Sequence, residues 1–161
     1  MSVLTVHSVT DVRDQFRQFF DDVVRKSPQA IKKHQDVIIA MSQEQLAAML
    51  DNLQFSLDYS VEEDGSCSGS ISEVGISANA PSLAELKEKL AEHLLEYAQD
   101  YMAEFGRYSA APNRKPHLPY IMKAILQPSL EALMEQFISC LPGKNSGTRM
   151  AVIMLNGKRL P

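Results

Sequence analysis

The chain is poor in the residues and runs that mark several classes of protein. Only two of its 161 residues are Cys, at positions 67 and 140, which excludes a disulfide framework and makes a reducing cytoplasm the simplest compartment. Seven Gly and eight Pro are too few for a fibrous or low-complexity chain. No uninterrupted apolar run approaches the roughly 18 residues of a membrane span, and the first residues lack the basic start of a secretory signal. We therefore expect a globular cytoplasmic protein that makes no contact with a membrane.

The charged residues are divided unevenly along the chain, whose net formal charge is −4. Residues 1–50 carry six groups of each sign, and residues 51–105 carry two basic against twelve acidic groups. Residues 106–161 carry eight basic against two acidic groups. Because an acidic segment repels a phosphate backbone, any contact with nucleic acid is expected from the two ends.

The first fifty residues predict a strand, a helix, a hairpin and a second helix. A short apolar start at 4–6 precedes a helix that Ser8 or Thr10 opens, because small polar side chains cap the free N–H groups of a first turn. Apolar residues at helical spacing follow as far as Val24, and Pro28 ends the helix. Residues 29–40 predict a hairpin, and a Ser42-x-x-Gln45 capping box opens the second helix. So short a segment buries too little apolar surface alone, so we expect it to pair with a second copy.

The stretch from Thr5 to Leu50 resembles the Phd/YefM family of bacterial antitoxins. The matching elements are Val12-Arg13 with Phe16, then Pro28, Ile31-Lys32-Lys33, Val37–Ala40 and the Met41-Ser42 entry to the Gln43-Glu44-Gln45-Leu46 helix. The resemblance implies a dimer whose N-terminal domain binds operator DNA and whose downstream segments cover a toxin.

The same resemblance implies which side chains contact DNA. The family's basic residue in the opening helix corresponds to Arg13, and its basic residue after the first hairpin strand corresponds to Lys33, with Lys32 beside it. Arg17 is the fourth candidate, in the same helix. The family commonly has Arg where Lys33 stands and Gly in the hairpin turn, where this chain has His34-Gln35-Asp36. The alternative is that these cations are merely solvated.

The middle of the chain predicts three strands, at 55–61, 67–71 and 74–78, and a long helix over 83–105 that Pro81-Ser82 opens. This block resembles HicB-like antitoxin domains. The residues that carry the resemblance are Val61–Gly65, Ile71–Ile76 and Ala80–Leu86. The resemblance implies a partial ribonuclease-H-like fold that binds toxins and catalyses nothing.

Catalytic and metal-binding patterns are not found in the sequence. Glu62, Glu63 and Asp64 are adjacent in a predicted turn, and neighbouring positions of a strand point to opposite faces, so they would not converge on one cation. The four His residues stand at no recognised spacing from a Cys or Ser. We expect no metal, no cofactor and no enzymatic activity, and a metal-dependent nuclease is the least favoured hypothesis.

The C-terminal third predicts two helices, from Leu118 and from Ser129 to Leu141, and then an apolar run at Met150–Leu155. Six such residues are not left in water, so the run either joins its own sheet or adds to a partner's sheet.

Taken together, the sequence predicts an α+β chain with two domains. Residues 1–53 form a Phd/YefM-like dimerisation and DNA-binding domain. Residues 54–161 form a HicB-like antiparallel sheet with helices and a helical C-terminal extension, which binds the toxin. The predicted function is an antitoxin of a bacterial type II toxin–antitoxin system that neutralises its toxin and represses its own operon. The alternative is a non-catalytic binding or adaptor protein that keeps the fold and no longer binds DNA.

Overall fold

A computed structural model of the protein describes residues 4–140. The N-terminal region, residues 4–50, contains a three-stranded sheet of order β1-β2-β3 and three helices. The strands are β1 (Val6–Ser8), β2 (Gln29–Lys33) and β3 (Asp36–Ala40), and the helices are α1 (Val9–Asp14), α2 (Phe16–Arg25) and α3 (Gln43–Leu50). β1 runs parallel to β2, and β2 pairs antiparallel with β3.

Local signals in the sequence start the helices of this region. Ser42 caps α3 with the predicted capping box, and of the two candidates Ser8 and Thr10 it is Ser8 that caps α1, also with a complete capping box. The single helix that the apolar spacing predicted is instead two helices, separated at Gln15, whose backbone has φ −124° and ψ 35°. The predicted hairpin over 29–40 is confirmed, whereas the first strand lies at Val6–Ser8 rather than at 4–6.

The C-terminal region, residues 54–140, contains a four-stranded sheet of order β6-β5-β4-β7. Its strands are β4 (Phe55–Val61), β5 (Cys67–Ile71), β6 (Ile76–Ala80) and β7 (Phe137–Cys140). Its helices are α4 (Leu83–Ala103), α5 (Phe105–Ala110), α6 (Leu118–Ile125) and α7 (Leu130–Glu135), with a 3-10 helix at Lys115–His117. One face of this sheet packs against α4, and the core lies between them.

The core of the C-terminal region is closed. Leu57 and Ile71 of the sheet and Leu86, Leu90 and Leu94 of α4 are fully buried in one cluster. Gly69 of β5 allows the closest approach, because a Cβ there would lie 2.9 Å from the Asp58 carbonyl oxygen and 3.0 Å from Leu86 Cδ2. Any side chain at this position would clash with the backbone of β4 and displace the Leu86 side chain.

Four predictions about this region are wrong in part. The sheet is mixed rather than antiparallel, because β7 pairs parallel with β4. β7 itself lies where the sequence predicted the end of a helix, so α7 ends at Glu135. The third strand begins at Ile76 rather than at residue 74, because Gly75 turns the chain with a φ of +67° and Val74 is buried before it. The long helix ends at Ala103, short of the predicted residue 105.

A buried lysine joins the two regions. Lys123 of α6 is 7% exposed, and its Nζ donates to the Leu53 carbonyl oxygen at 2.6 Å and to the Asp51 carbonyl oxygen at 3.2 Å. These carbonyls follow the end of α3, where unpaired carbonyls and the helix dipole favour a cation. Lys123 therefore holds the segment between α3 and β4 against α6 through these two hydrogen bonds.

In residues 4–140, no helix is both long and apolar enough to cross a membrane. The predicted apolar strand at 150–155 lies outside the described residues.

Candidate nucleic-acid and protein interface

The four basic residues predicted to contact DNA all lie on the surface of the N-terminal region. Arg13 is in the last turn of α1, Arg17 is in the first turn of α2, and Lys32 and Lys33 end β2. All four are exposed. The register of the sheet places Lys32 opposite Ser8, the residue that caps α1. The structure therefore brings the lysine pair to the start of α1, while Arg13 and Arg17 lie near the junction of the two helices.

The four cations differ in how they are paired. Arg13 Nε lies 2.9 Å from Asp14 Oδ1. In residues 4–140, the side chains of Arg17, Lys32 and Lys33 form no ion pair. Arg17, Lys32 and Lys33 can therefore pair with phosphates directly. Arg13 can do so only if a phosphate replaces the Asp14 carboxylate as its partner.

Two other cations, at the C-terminal end of α2, are paired with carboxylates of that helix. Lys26 Nζ lies 2.9 Å from Asp22 Oδ1, and Arg25 Nη2 lies 3.9 Å from Asp21 Oδ1. The hydrogen bond from Lys26 lowers the pKa of the Asp22 carboxyl, and a bond from Gln18 lowers it further. The positive face of this region is therefore smaller than its count of basic residues suggests.

The N-terminus of α1 is occupied by its own carboxylate. Ser8 donates through its hydroxyl to Asp11 Oδ2 at 2.7 Å and through its backbone N–H to the same oxygen at 3.2 Å. These bonds lower the pKa of the Asp11 carboxyl, so Asp11 stays ionised beside the positive end of the helix dipole. The start of α1 is therefore not an anion site, and the cations themselves must provide any contact with phosphate.

The hairpin turn is tight although it contains no Gly. Lys33 pairs with Asp36 across a two-residue turn, and His34 takes a positive φ of 55°. His is among the few residue types besides Gly that are found in this conformation at modest cost. The turn therefore presents Lys32 and Lys33 at its base without the glycine that is usual in the family that this stretch resembles.

An exposed apolar stripe runs along α2. Phe16, Phe20 and Val24 recur every four residues and are 61%, 57% and 47% exposed. Phe19 and Val23, on the adjoining side of the same helix, are buried. α2 thus has one wide apolar face, of which only one edge is covered within the described residues.

The edge strand β3 is also apolar and exposed. Val37, Ile38 and Ile39 follow one another, and all three are between 45% and 60% exposed. Consecutive residues of a strand point to opposite faces, so both faces of β3 are open. An edge strand of this kind is an aggregation hazard unless another chain covers it.

Comparisons with known proteins identify the family of the chain. Residues 1–139 match the family model described as PHD_like, antitoxin of toxin-antitoxin, RelE / RelB, TA system. This chain belongs to that antitoxin family. It is similar to a crystal structure from Syntrophomonas wolfei subsp. wolfei, assigned as the antitoxin part of a toxin/antitoxin system, with 35% identity and a TM-score of 0.80. The match covers 84% of this chain and 98% of the other. None of the curated proteins matches this chain.

The acidic turn of the antitoxin lies at the end of the second sheet. Glu62, Glu63 and Asp64 are exposed, and Asp64 Oδ1 accepts from the Ser66 hydroxyl at 2.6 Å and from the Ser66 backbone N–H at 2.9 Å. These bonds lower the pKa of the Asp64 carboxyl. In residues 4–140, no group of three or more His, Cys, Asp or Glu side chains is arranged to hold a metal ion.

The two cysteines lie in different surroundings. Cys67 is buried in β5, and Cys140 is exposed at the end of β7.

Sequence reasoning missed an aromatic cluster on α4. Tyr97 Oη lies 2.8 Å from His117 Nδ1, and the Arg114 guanidinium lies 5.3 Å from the centre of the Tyr97 ring. Tyr101 is fully buried, stacks on Tyr108 at 5.2 Å and donates to the Arg114 carbonyl oxygen. The cluster holds α5 and the 3-10 helix against α4. Its signal in the sequence was the spacing of four between Tyr97 and Tyr101, but the partners lie beyond the helix.

Burial lowers the pKa of His117, and the nearby Arg114 charge lowers it further. The neutral imidazole therefore shares the hydrogen bond with Tyr97. Burial also raises the pKa of Tyr101, so its phenol stays protonated as the donor to Arg114. These groups are structural in the antitoxin.

Proposed function

We propose that this antitoxin acts in the cytoplasm as a dimer, binds its own operator through the N-terminal region and neutralises a cognate toxin through residues 54–161. The main observation behind the proposal is that α2 has an exposed apolar stripe and, next to it, the cation Arg17, which forms no ion pair in residues 4–140. Arg17 directly follows Phe16 and stands three residues before Phe20, so it shares their side of the helix.

The apolar stripe supports the dimer. Phe16, Phe20 and Val24 are large apolar side chains that a lone copy leaves in water. Exposed patches of this kind mark protein interfaces, and two-fold pairing of the same patch is the commonest arrangement in homo-oligomers. The proposal gives residues 1–53 the Phd/YefM type of dimer.

The free cations support operator binding. Arg17, Lys32 and Lys33 are exposed and have no carboxylate partner in residues 4–140, and a dimer doubles their number. Arg13 joins them once its bond to Asp14 is exchanged for a phosphate. Binding through such contacts weakens steeply with salt, because each neutralised phosphate releases counterions.

Toxin neutralisation is proposed to be steric. The antitoxin covers the toxin's active surface, and no covalent bond is made or broken. Family membership supports a toxin as partner, and the closed core of the C-terminal region supports a rigid, HicB-like platform for it. Because both sites lie on one chain, toxin binding would change operator affinity by linkage.

A second candidate function is an adaptor that binds protein and no longer binds DNA. The ion pair between Arg13 and Asp14 favours it, as do the pairs that neutralise Arg25 and Lys26. Lys33 also lacks the planar fork with which Arg reads guanine.

The experiment for toxin binding is co-expression of the antitoxin with the protein of the adjacent reading frame. We expect the two to co-purify, and we expect the antitoxin to restore growth when the neighbour is induced. A neighbour that neither binds nor slows growth would contradict the proposal.

The experiment for DNA binding is a mobility shift on the upstream region of the operon at several salt concentrations. Arg17→Ala and Lys33→Ala should each weaken binding at least about tenfold and flatten the salt dependence, because each removes a phosphate contact. Lys115→Ala is the matched control, an exposed lysine of the C-terminal region, and should leave binding unchanged. Absence of any salt-dependent shift by the wild type would favour the adaptor.

A further inference from the structure

The second sheet has one open face. α4 covers the face that carries Leu57 and Ile71. The opposite face is formed by alternate residues of the four strands. Over β4, β5 and β6 it is a shallow depression lined by short side chains, and Ile138 of β7 is exposed beside Ser56 at its edge. Its outward residues are Ser56, Asp58 and Ser60 of β4, Ser68 and Ser70 of β5, and Ser77 and Asn79 of β6.

This open face has a composition that suits docking of another protein. Serine side chains lose little rotamer entropy when they are buried, and their hydroxyls both donate and accept hydrogen bonds. With no long side chain in the way, a partner can approach close to the backbone of the strands. Apart from Ile138 at the β7 edge, the face offers hydrogen bonds rather than apolar contact, so it suits a polar partner surface better than an apolar one.

The charged side chains of the strands and turns that form the depression are all carboxylates. No Lys or Arg occurs between Lys33 and Lys87, so the three strands and their turns carry only carboxylates. These are Asp58 on the face, Glu73 in the turn after β5, and the acidic turn Glu62, Glu63 and Asp64. The nearest cation along β6 is Lys89 of α4, whose Nζ bonds the Asn79 carbonyl oxygen at 3.3 Å.

We propose that the open face of the second sheet is the docking surface for a positively charged face of the cognate toxin. The inference rests on the proposed function and names the surface and the chemistry of the partner. The negative charge of this face favours a basic protein over the two other possible partners, a second copy of the chain and a nucleic acid. Two copies joined through this face would bring carboxylates against carboxylates, and a phosphate backbone would be repelled.

The test uses the full-length antitoxin and, as the probe, the purified protein of the adjacent reading frame. Dissociation constants are measured by calorimetry at low and moderate salt. Asp58→Lys and Ser77→Lys place a cation at two positions of the open face, and each should raise the Kd at least about tenfold at low salt. Both residues are exposed, and circular dichroism and the melting temperature establish that each variant is folded.

Glu96→Lys is the matched control. It makes the same change of charge as Asp58→Lys, and a larger one than Ser77→Lys, on an exposed residue of α4, which lies on the covered side of the sheet. It should change the Kd less than about threefold. The control therefore shows whether an effect on binding comes from the position of the new charge or from the change in total charge.

The outcomes distinguish the inference from the proposed function. If the wild-type antitoxin does not bind the neighbouring protein, both fail. If it binds, but the two open-face variants bind as tightly as the wild type, or Glu96→Lys alone weakens binding, the docking surface is wrong and the antitoxin function stands. Weakened self-association of Asp58→Lys with unchanged toxin affinity would assign the face to a second copy and also overturn the inference.

Discussion

The two regions of the antitoxin bury their apolar residues to very different extents. In the N-terminal region, the buried apolar residues are Phe19, Val23 and Ala30, and Gln29 is buried beside them. The same region has ten of the fifteen large apolar residues that are exposed in residues 4–140. The C-terminal region has five such exposed residues and sixteen buried apolar ones.

The difference shows that the two regions reach stability in different ways. The C-terminal region has the sheet-on-helix core of a domain that folds within one chain. The N-terminal region has regular strands and capped helices, but its apolar area faces outward on α2 and β3. Its hydrophobic stabilisation therefore depends on what covers those faces.

The largest expected difference between the two regions is in the free energy of unfolding when a residue of the closed core is changed. Leu86 is fully buried between α4 and the sheet. Leu86→Ala should lower the free energy of unfolding by about 3 kcal/mol, because it removes buried methyl groups and leaves a cavity. Phe20→Ala, on the exposed stripe, should change the unfolding of the monomer by less than about 0.5 kcal/mol. Urea denaturation at low protein concentration measures both variants. Equal losses of unfolding free energy would contradict the difference we describe between the two regions.

The next effect concerns self-association. Phe20→Asp places a charge in the centre of the exposed stripe and should weaken the dimer about a hundredfold, because the carboxylate would be buried without a partner. Phe105→Asp is the control, since Phe105 of α5 is 43% exposed but lies in the C-terminal region. Sedimentation over a range of concentrations measures both. A wild-type chain that stays a compact monomer at micromolar concentration would contradict the role we give to α2.

A smaller effect concerns the joint between the regions. Lys123→Met keeps most of the side-chain volume but leaves the carbonyl groups of Asp51 and Leu53 without their donor, which costs about 1 to 3 kcal/mol. Amide exchange in α3 should become faster, because the end of that helix is no longer held to α6. Lys115→Met, an exposed control, should leave this exchange unchanged. If the amides of α3 exchange as slowly in the Lys123 variant as in the wild type, the hydrogen bonds of Lys123 do not couple the two regions.

The smallest effect is a pH dependence confined to the C-terminal region. The folded-state pKa of His117 lies below its value in the unfolded chain, because of burial and then Arg114. The unfolded state therefore takes up a proton first as the pH falls. The contribution of His117 is complete above pH about 6.5 and is lost as the pH falls toward its folded-state pKa. His117→Asn should flatten this part of the profile between pH 8 and 5. Identical slopes for variant and wild type would contradict it.

Local chemistry made much of the fold predictable. The Ser42 capping box, the Ser82 and Ser129 caps and the hairpin over 29–40 are all as expected, because each depends on residues within a few positions. The small interior of the first fifty residues was also predictable, from length and apolar count. The four candidate cations were predicted as DNA contacts, and their exposure agrees with that role without testing it.

The errors arose where distant residues decide the structure. Phe137 and Ile138 fit a helical pattern, yet they form β7 because β4, about eighty residues earlier, offers an unpaired edge. The break at Gln15 interrupts an apolar spacing that continues unchanged on both sides. The donor role of Lys123 had no sequence signal at all, since its partners are backbone carbonyls at residues 51 and 53.

The position of β7 in the chain has a consequence for synthesis. β4 is flanked on one side by β5 and on the other by β7, whose residues are translated about eighty residues after those of β4. The first fifty residues leave the ribosome long before then, so two nascent chains can meet through α2 while the flank of β4 is still bare. A ribosome that stalls before codon 137 would release a protein with an incomplete second sheet and a strand ready to pair with the wrong neighbour.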